Sequence, residues 1–259
     1  MRCAVAGHVE WTEFAMVDHV PGPGQIAHAT EHWSGPAGGG AVVAAQLVKL
    51  AGACDFFTAL GDDELGHASV RRLDELGVSL HTEWFGSTRR ALTLVDQHGE
   101  RTITTIGPKL RPRNPFPGDA YDAVFFVAGE VDVLRLARGA PFLAATPREL
   151  LTLSDAAVRL DLLVGSATDP GERYEGGLEV DLVVRTEGAL GGTAGGRRYE
   201  ASRPPGPLAD TYGAGDSFAA ALCFALARGD TQEAALELAA RAGAAVVTGK
   251  GPYTGQISG

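Results

Sequence analysis

The sequence predicts an α/β fold, with a central, mostly parallel sheet flanked by helices on both faces and a small lid of β-strands. Three observations carry that prediction. Short apolar runs alternate with helical patterns along most of the chain, and two polar, β-branched segments interrupt the alternation. The 259 residues, 45% of them hydrophobic, suffice to bury one core, so residues 1–259 are expected to form a single α/β domain.

The elements follow in order. Arg2 to Gly7 (RCAVAG) suits a central strand of a buried sheet. Ala41 to Ala51 (AVVAAQLVKLA) reads as a nearly all-apolar helix closed by Gly52, and CDFFTAL at Cys54 to Leu60 as the strand after it. Glu64 to Gly77 places Leu65, Val70, Leu73 and Leu76 at near-helical spacing, ends on a glycine, and feeds the strand that starts at Val78. Tyr121 to Gly129 predicts a strand, Thr146 to Leu160 a helix, and DLLVGS and DLVVRTEG two further strands. Pro21 to Trp33 and Arg89 to Ile106 read as strands outside the main sheet, the second with a hairpin signal at Gln97-His98-Gly99. Lid segments of about 12–34 and 84–108 would cover the carboxyl ends of the parallel strands, where open α/β sheets bind ligands.

Charge narrows the function classes. With 22 Lys+Arg against 32 Asp+Glu the chain carries −10, which argues against nucleic acid and anionic membrane surfaces as partners. No apolar run approaches the roughly 18 residues of a membrane span, and the opening residues lack a secretory pattern, so a cytoplasmic location is expected. Cys3, Cys54 and Cys223 have no CxxC spacing and are expected to be buried, reduced thiols.

The chemistry concentrates in Asp210-Thr-Tyr-Gly-Ala-Gly-Asp216-Ser-Phe, followed by the apolar run AAALCFALARG. Gly213 and Gly215 permit a tight turn into a helix, so successive N–H groups converge on one anionic oxygen at the positive helix end. Asp216 stands at the lip, placed to take a proton from an attacking hydroxyl. The alternative is a plain helix start with Asp216 as a cap.

These nine positions resemble the DTxGAGDxF signature of the PfkB, or ribokinase-like, carbohydrate kinases. The order of the rest is similar: Gly7 after the first strand, Gly38-Gly39-Gly40 opening a helix, ALGDDELG at Ala59 to Gly66, and VDQHGER at Val95 to Arg101. Thr186-Glu-Gly188-Ala-Leu-Gly191 is similar to the family's TxGxxG, and Arg241 to Val246 to its adenine-side helix. The resemblance implies a ribokinase-like fold and transfer of the γ-phosphoryl group of ATP, with Mg²⁺, to a hydroxyl of a small sugar-like substrate. It makes Asp216 the base and gives the anion hole to the amides of Gly213, Ala214 and Gly215. It sets Ser166, Thr186, Gly188, Gly191, Thr211, Ala242 and Gly243 around the nucleotide, and Asp210 near a metal or a monovalent cation such as K⁺. Substrate contacts fall to Gly38, Gly39, Arg101 and Asp216. Lid strands often pair between subunits in this family, so a homodimer is expected.

Departures from the pattern bear on the substrate. The family's substrate-binding Asp after the first strand is replaced here by Thr12, with Glu10 the nearby carboxylate able to accept from two hydroxyls, and Val42 stands where an Asn is usual. The family's NxxE, whose Glu organises water around Mg²⁺, reads Ser166-Ala-Thr-Asp169, leaving Asp169 as the metal-side carboxylate or as part of a Thr-Asp-Pro turn. The reading left open is a nucleoside kinase, or a non-catalytic sugar or nucleotide sensor on the same fold.

Other motifs carry less. Gly249-Lys250-Gly251 lacks the hydroxyl of a P-loop, and Gly22-Pro-Gly24-Gln-Ile-Ala27 follows no strand, which rules against a dinucleotide turn. Ile26, His28, Thr30 and His32 are expected to share one face of a lid strand, placing the histidines at the substrate or the surface in preference to a metal. Trp11, Phe14, Trp33 and Trp84 either pack the lid or stack on an aromatic ligand.

Overall fold

The computed structural model describes residues 1–259. Strand β1 (Cys3–Ala6) is buried at every position, as a strand covered on both faces must be. The chain leaves it for β2 (Glu10–Met16) and β3 (Glu31–Ala37) of a separate sheet, then returns through α1 (Gly39–Ala51) to β4 (Cys54–Leu60). Helix α2 (Glu64–Glu75) leads to β5 (Val78–Trp84), and β6 (Arg90–Val95) with β7 (Arg101–Ile106) completes the second sheet. The main sheet grows through β8 (Ala123–Phe126), α3 (Val131–Ala137), β9 (Phe142–Ala145), α4 (Leu150–Ala156), β10 (Leu160–Ser166) and β11 (Val180–Thr186). A hairpin of β12 (Gly192–Ala194) and β13 (Arg197–Tyr199) closes one edge, and α5 (Ala214–Arg228) and α6 (Gln232–Val246) finish the fold.

The nine-stranded sheet runs β13-β12-β11-β10-β9-β8-β1-β4-β5, parallel except at the β12–β13 edge. Alternate residues point to opposite faces. Thus Val5, Phe56 and Phe125 enter the core under α1, α5 and α6, while Ala6, Val124 and Phe126 enter a second core under α3 and α4. The three cysteines are free and buried, as expected. No helix is long and apolar enough to cross a membrane.

The lid sheet has the order β3-β2-β6-β7. Its register puts Thr12 and Phe14, Ala91 and Thr93, and Arg101, Ile103 and Thr105 on one inner face, with Leu92, Thr102, Thr104 and Ile106 outside. The β6–β7 turn is the hairpin the sequence signalled. Asp96 Oδ1 accepts from the amides of His98 at 2.8 Å and Glu100 at 3.0 Å.

Two expectations need correction. Residues Pro21 to Thr30 are not a strand: the lid's first half is β2, starting at Glu10, and β3, starting at Glu31. Pro21 and Pro23 cannot donate to a ladder, and Ile26 is 83% exposed. His28 therefore shares no strand face with His32, which lies on β3 opposite Ala15, on the outer face. The helix expected from Thr146 to Leu160 is a 3₁₀ turn at Pro147–Glu149 followed by the two-turn α4, stopped by Ala157 in a left-handed conformation at φ 52°. Its last residues belong to the approach to β10.

Candidate active site

The glycine-rich turn is built as the sequence implies. Gly213 caps α5 at φ 81°, a conformation that favours glycine, and a Cβ there would meet Val42 Cγ1 and Pro252 Cβ at 3.1 Å. The first full helical bond runs from Ser217 N to Gly213 O at 2.9 Å, so the amides of Gly215 and Asp216 stay free at the helix start. Ala214 differs from expectation: its N–H reaches Thr211 O, at 3.4 Å, and it stands outside the cleft wall formed by Gly213, Gly215 and Asp216. Free amides and the helix dipole together favour an anion at this mouth.

Several contacts lock the turn. Asp210 is buried, and its two oxygens accept from Tyr212 N at 2.8 Å and Gly251 N at 3.0 Å. Thr211 N bonds Gly99 O at 3.0 Å, and Arg101 Nη1 donates to Thr211 O at 2.8 Å, so the lid hairpin grips the turn. Tyr212 OH accepts from Gly38 N at 3.2 Å and faces Glu10 Oε1 at 3.5 Å. Gly7 and Gly40 complete the frame, since a Cβ on Gly7 would lie 2.7 Å from Gly40 Cα. Only glycines allow β1 and α1 to approach so closely.

The turn opens on a cleft of about 890 Å³ between the lid and the carboxyl ends of β1, β8, β9, β10 and β11. Asp216 lies against Gly39, whose Cβ, if present, would be 2.9 Å from Asp216 Oδ1. Burial pushes the Asp216 carboxyl up to about 6, Glu172 and Glu10 add to the rise, and Arg101 and Arg148 oppose it. On the lid side stand His8, Glu10, Arg89 and Lys109. Burial raises the Glu10 carboxyl, against Arg89 and Lys109, which lower it. Gly38, Gly39 and Arg101 line the cleft as expected. Thr12 does not: it is fully buried inside the lid sheet, with Oγ1 lacking any partner, and offers no surface to a substrate.

On the opposite wall stand Ser166, Thr168, Asp169, Glu172 and Thr186. Ser166 Oγ accepts from the amides of Thr168 and Asp169, each at 3.2 Å, and Glu172 Oε2 accepts from Ser166 N at 2.6 Å. Arg148, from the turn after β9, donates to Asp169 Oδ2 at 2.5 Å and to Glu172 Oε1 at 2.8 Å. Asp169 also caps the 3₁₀ turn at Pro170 by accepting from Gly171 N at 2.8 Å, the turn the sequence offered, and it lines the cleft. The remaining expected residues lie outside the cleft wall. Gly188 and Gly191 flank the 3₁₀ turn beyond Thr186, the latter tight against Tyr199 O. Gly243 abuts Ala214 O, whereas Ala242 is fully buried in the core and has no surface for adenine.

No three His, Cys, Asp or Glu side chains converge, so the protein builds no cage of its own. Mg²⁺ keeps most of its waters and uses phosphates plus one or two carboxylates. Asp169 and Glu172, on one short cleft segment, fit that outer role. Asp210, unlike Asp169 and Glu172, does not face the cleft.

A family profile described as pfkB family carbohydrate kinase matches residues 2–125 and 131–258. The chain belongs to the pfkB family. Its fold is that of the ribokinases: a nucleoside kinase from Burkholderia thailandensis, solved in complex with inosine, superposes with TM-score 0.79 at 16% identity, covering 99% of this chain and 93% of the other. Ribokinase from Thermotoga maritima gives 0.76 at 20% identity, with 99% and 96% covered. Arabidopsis thaliana ribokinase, complexed with ribose and ATP, gives 0.73 at 21% identity, with 99% and 95% covered. None of the curated proteins matches in sequence.

Within the pfkB frame, sequence reasoning missed His8, Arg89, Lys109, Arg148 and Glu172. Glu172 had one usable signal: a second carboxylate three residues beyond Asp169. The others are isolated polar residues whose meaning arises only when separate loops meet. Trp11 Nε1 donates to Glu13 Oε1 at 3.3 Å, and Trp11 does not line the cleft. Phe14 and Trp33 stack on each other at 5.2 Å, and Trp84 packs beside His67, all of them away from the cleft.

Proposed function

We propose that this pfkB kinase transfers the γ-phosphoryl group of ATP to a hydroxyl of a small sugar or sugar-like substrate. The observation that carries the reading is Asp216, a carboxyl held up to about 6 beside the free amides of Gly215 and Asp216. At neutral pH it is mostly ionised yet basic enough to take a proton. The acceptor oxygen gives its proton to Asp216 and forms the new P–O bond, while the bond to the β-phosphate breaks and ADP leaves. The amides of Gly213, Gly215 and Asp216 face charge on the moving phosphoryl group, and Arg101 and Arg148 add cations to the same mouth. Asp169 and Glu172 would hold Mg²⁺ through its waters, and the bound ion neutralises phosphate charge. The lid excludes water that competes as acceptor.

A sugar is favoured over a nucleoside because no aromatic face is offered to a base. The aromatics of the cleft wall, Phe125 and Tyr212, are 1% and 5% exposed. ADP release should therefore respond to a member of a panel of sugars and sugar alcohols with Mg·ATP, and not to nucleosides. Turnover with nucleosides alone would reverse that assignment, and binding without Asp216-dependent turnover would establish a sensor.

The same reading includes a homodimer through the lids. Leu92 and Ile106 on the outer lid face are 42% and 51% exposed, and β7 is an unpaired edge. Sedimentation velocity should show a dimer for the wild type and a monomer for Leu92→Asp. A monomeric wild type at micromolar concentration removes the dimer from the account.

A further inference from the structure

The cleft holds more positive charge on its lid side than the phosphoryl chemistry uses. Arg101 and Arg148 act on Asp216 and Asp169, at the mouth of the anion turn. Arg89 and Lys109 act instead on His8 and Glu10, and are not among the main charges felt by Asp216. Arg89 is provided by the segment entering β6, and Lys109 by the segment leaving β7. Both face the cleft, with side chains only 15% and 20% exposed.

Their protein partners do not balance them. Arg89 Nε stands 3.5 Å from Glu10 Oε2 and has no hydrogen-bond partner. Lys109 Nζ bonds Glu149 Oε1 at 2.9 Å, but Glu149 also meets Arg111 Nη2 at 3.0 Å. Lys109 thus shares Glu149 with Arg111, which is 41% exposed and lies outside the cleft wall, and Arg89 has only the long contact to Glu10. A second unspent group lies beside them. His8 is 8% exposed, lines the cleft, and has a buried Nδ1 with no partner. Burial and then Lys109, Arg89, Arg148 and Arg111 hold it neutral, so its ring keeps one donor and one acceptor. Buried polar atoms without partners lose their solvation uncompensated, and a ligand group that meets them recovers it.

We infer that the acceptor is an anionic polyol, a sugar acid whose carboxylate sits between Arg89 and Lys109 with His8 bonding an adjacent hydroxyl. Glu10 and Glu100 line the same side of the cleft, so a carboxylate monoanion meets less repulsion beside Arg89 and Lys109 than a phosphate dianion does, which favours a carboxylate over a phosphate ester. The inference rests on the kinase reading for the hydroxyl that is phosphorylated, but not for the binding of the acid.

The test compares three matched sets with Mg·ATP at pH 7.5: neutral sugars and sugar alcohols, the corresponding aldonic and uronic acids, and sugar phosphates. ADP release should select an acid over its neutral parent by roughly 10-fold to 100-fold in kcat/KM, the range of a charge-assisted hydrogen bond. Lys109→Met and Arg89→Gln should raise KM for that acid at least tenfold, far more than they change kcat, while Lys109→Arg restores much of the loss. Equal use of acid and neutral parent, or preference for the phosphate ester, overturns the proposal. Calorimetry without ATP separates this from the kinase reading. Asp216→Asn should abolish turnover yet still bind the acid, with affinity that falls as NaCl rises. Acid binding without Asp216-dependent ADP release sinks the kinase reading alone, and absence of acid binding to the wild type sinks the inference alone.

Discussion

Asp216→Asn loses turnover by about 10²-fold or more while raising the melting temperature, and the two effects share one cause. The carboxyl moves from 3.8 to about 6 on folding, chiefly because burial disfavours its charge. A raised carboxyl contributes no penalty below about pH 4, where both states are protonated. The penalty grows as pH rises through the interval and is complete above about 6. At neutral pH the native protein therefore carries an uncompensated charge that Asn removes. Two pH units correspond to about 3 kcal/mol at most, and partial solvent access reduces this to roughly 1–2 kcal/mol, or a few degrees for a chain of this size. The gain should vanish below about pH 4. In the wild type, kcat/KM should fall about tenfold per unit below pH 6 as the base is protonated. Calorimetry and initial rates between pH 4 and 8 check both, and a variant that is inactive but less stable at pH 7 contradicts the assigned strain.

Gly215→Ala is the second variant whose activity and stability should part company. Gly215 is the second residue of α5, and nothing lies within 4 Å of the place its Cβ would take. Alanine is the better helix former by up to about 1 kcal/mol, so the fold tolerates or gains from the change. The added methyl nevertheless stands in the mouth of the cleft, in front of the free amides of Gly215 and Asp216. An anion kept from such donors loses stabilisation of the order seen when an oxyanion donor is removed, about 10²-fold in kcat. Thermal unfolding and ADP release on one preparation decide it. Wild-type turnover in a stable variant would place the transferred phosphoryl group elsewhere.

The sequence by itself determined the elements whose information is local. β1, α1, β4 and β11 were legible because apolar runs of strand and helix period are set by neighbours in the chain. The anion turn was legible for the same reason: Gly213, Gly215 and Asp216 are consecutive, and their chemistry needs only the backbone they build. The hairpin after β6 announced itself through Gln97-His98-Gly99. The first half of the lid did not. Polar alternation around His28 imitates a strand, whereas a strand exists only where a partner accepts its bonds, and β2 found partners in both β3 and β6.

Tertiary structure alone decided the charges around the cleft. His8, Arg89, Lys109, Arg148 and Glu172 come from five separate segments, and in the sequence each is one polar residue among many. Closing the lid over the sheet gathers them, strips their water and makes their pairings matter, because charges interact strongly only where solvent no longer screens them. Packing of the turn against the segment after α6 likewise makes Asp210 the acceptor for two backbone amides, and the lid sheet buries Thr12. Backbone chemistry was thus written along the chain, while the selection of a substrate depends on side chains that meet only when the fold is complete.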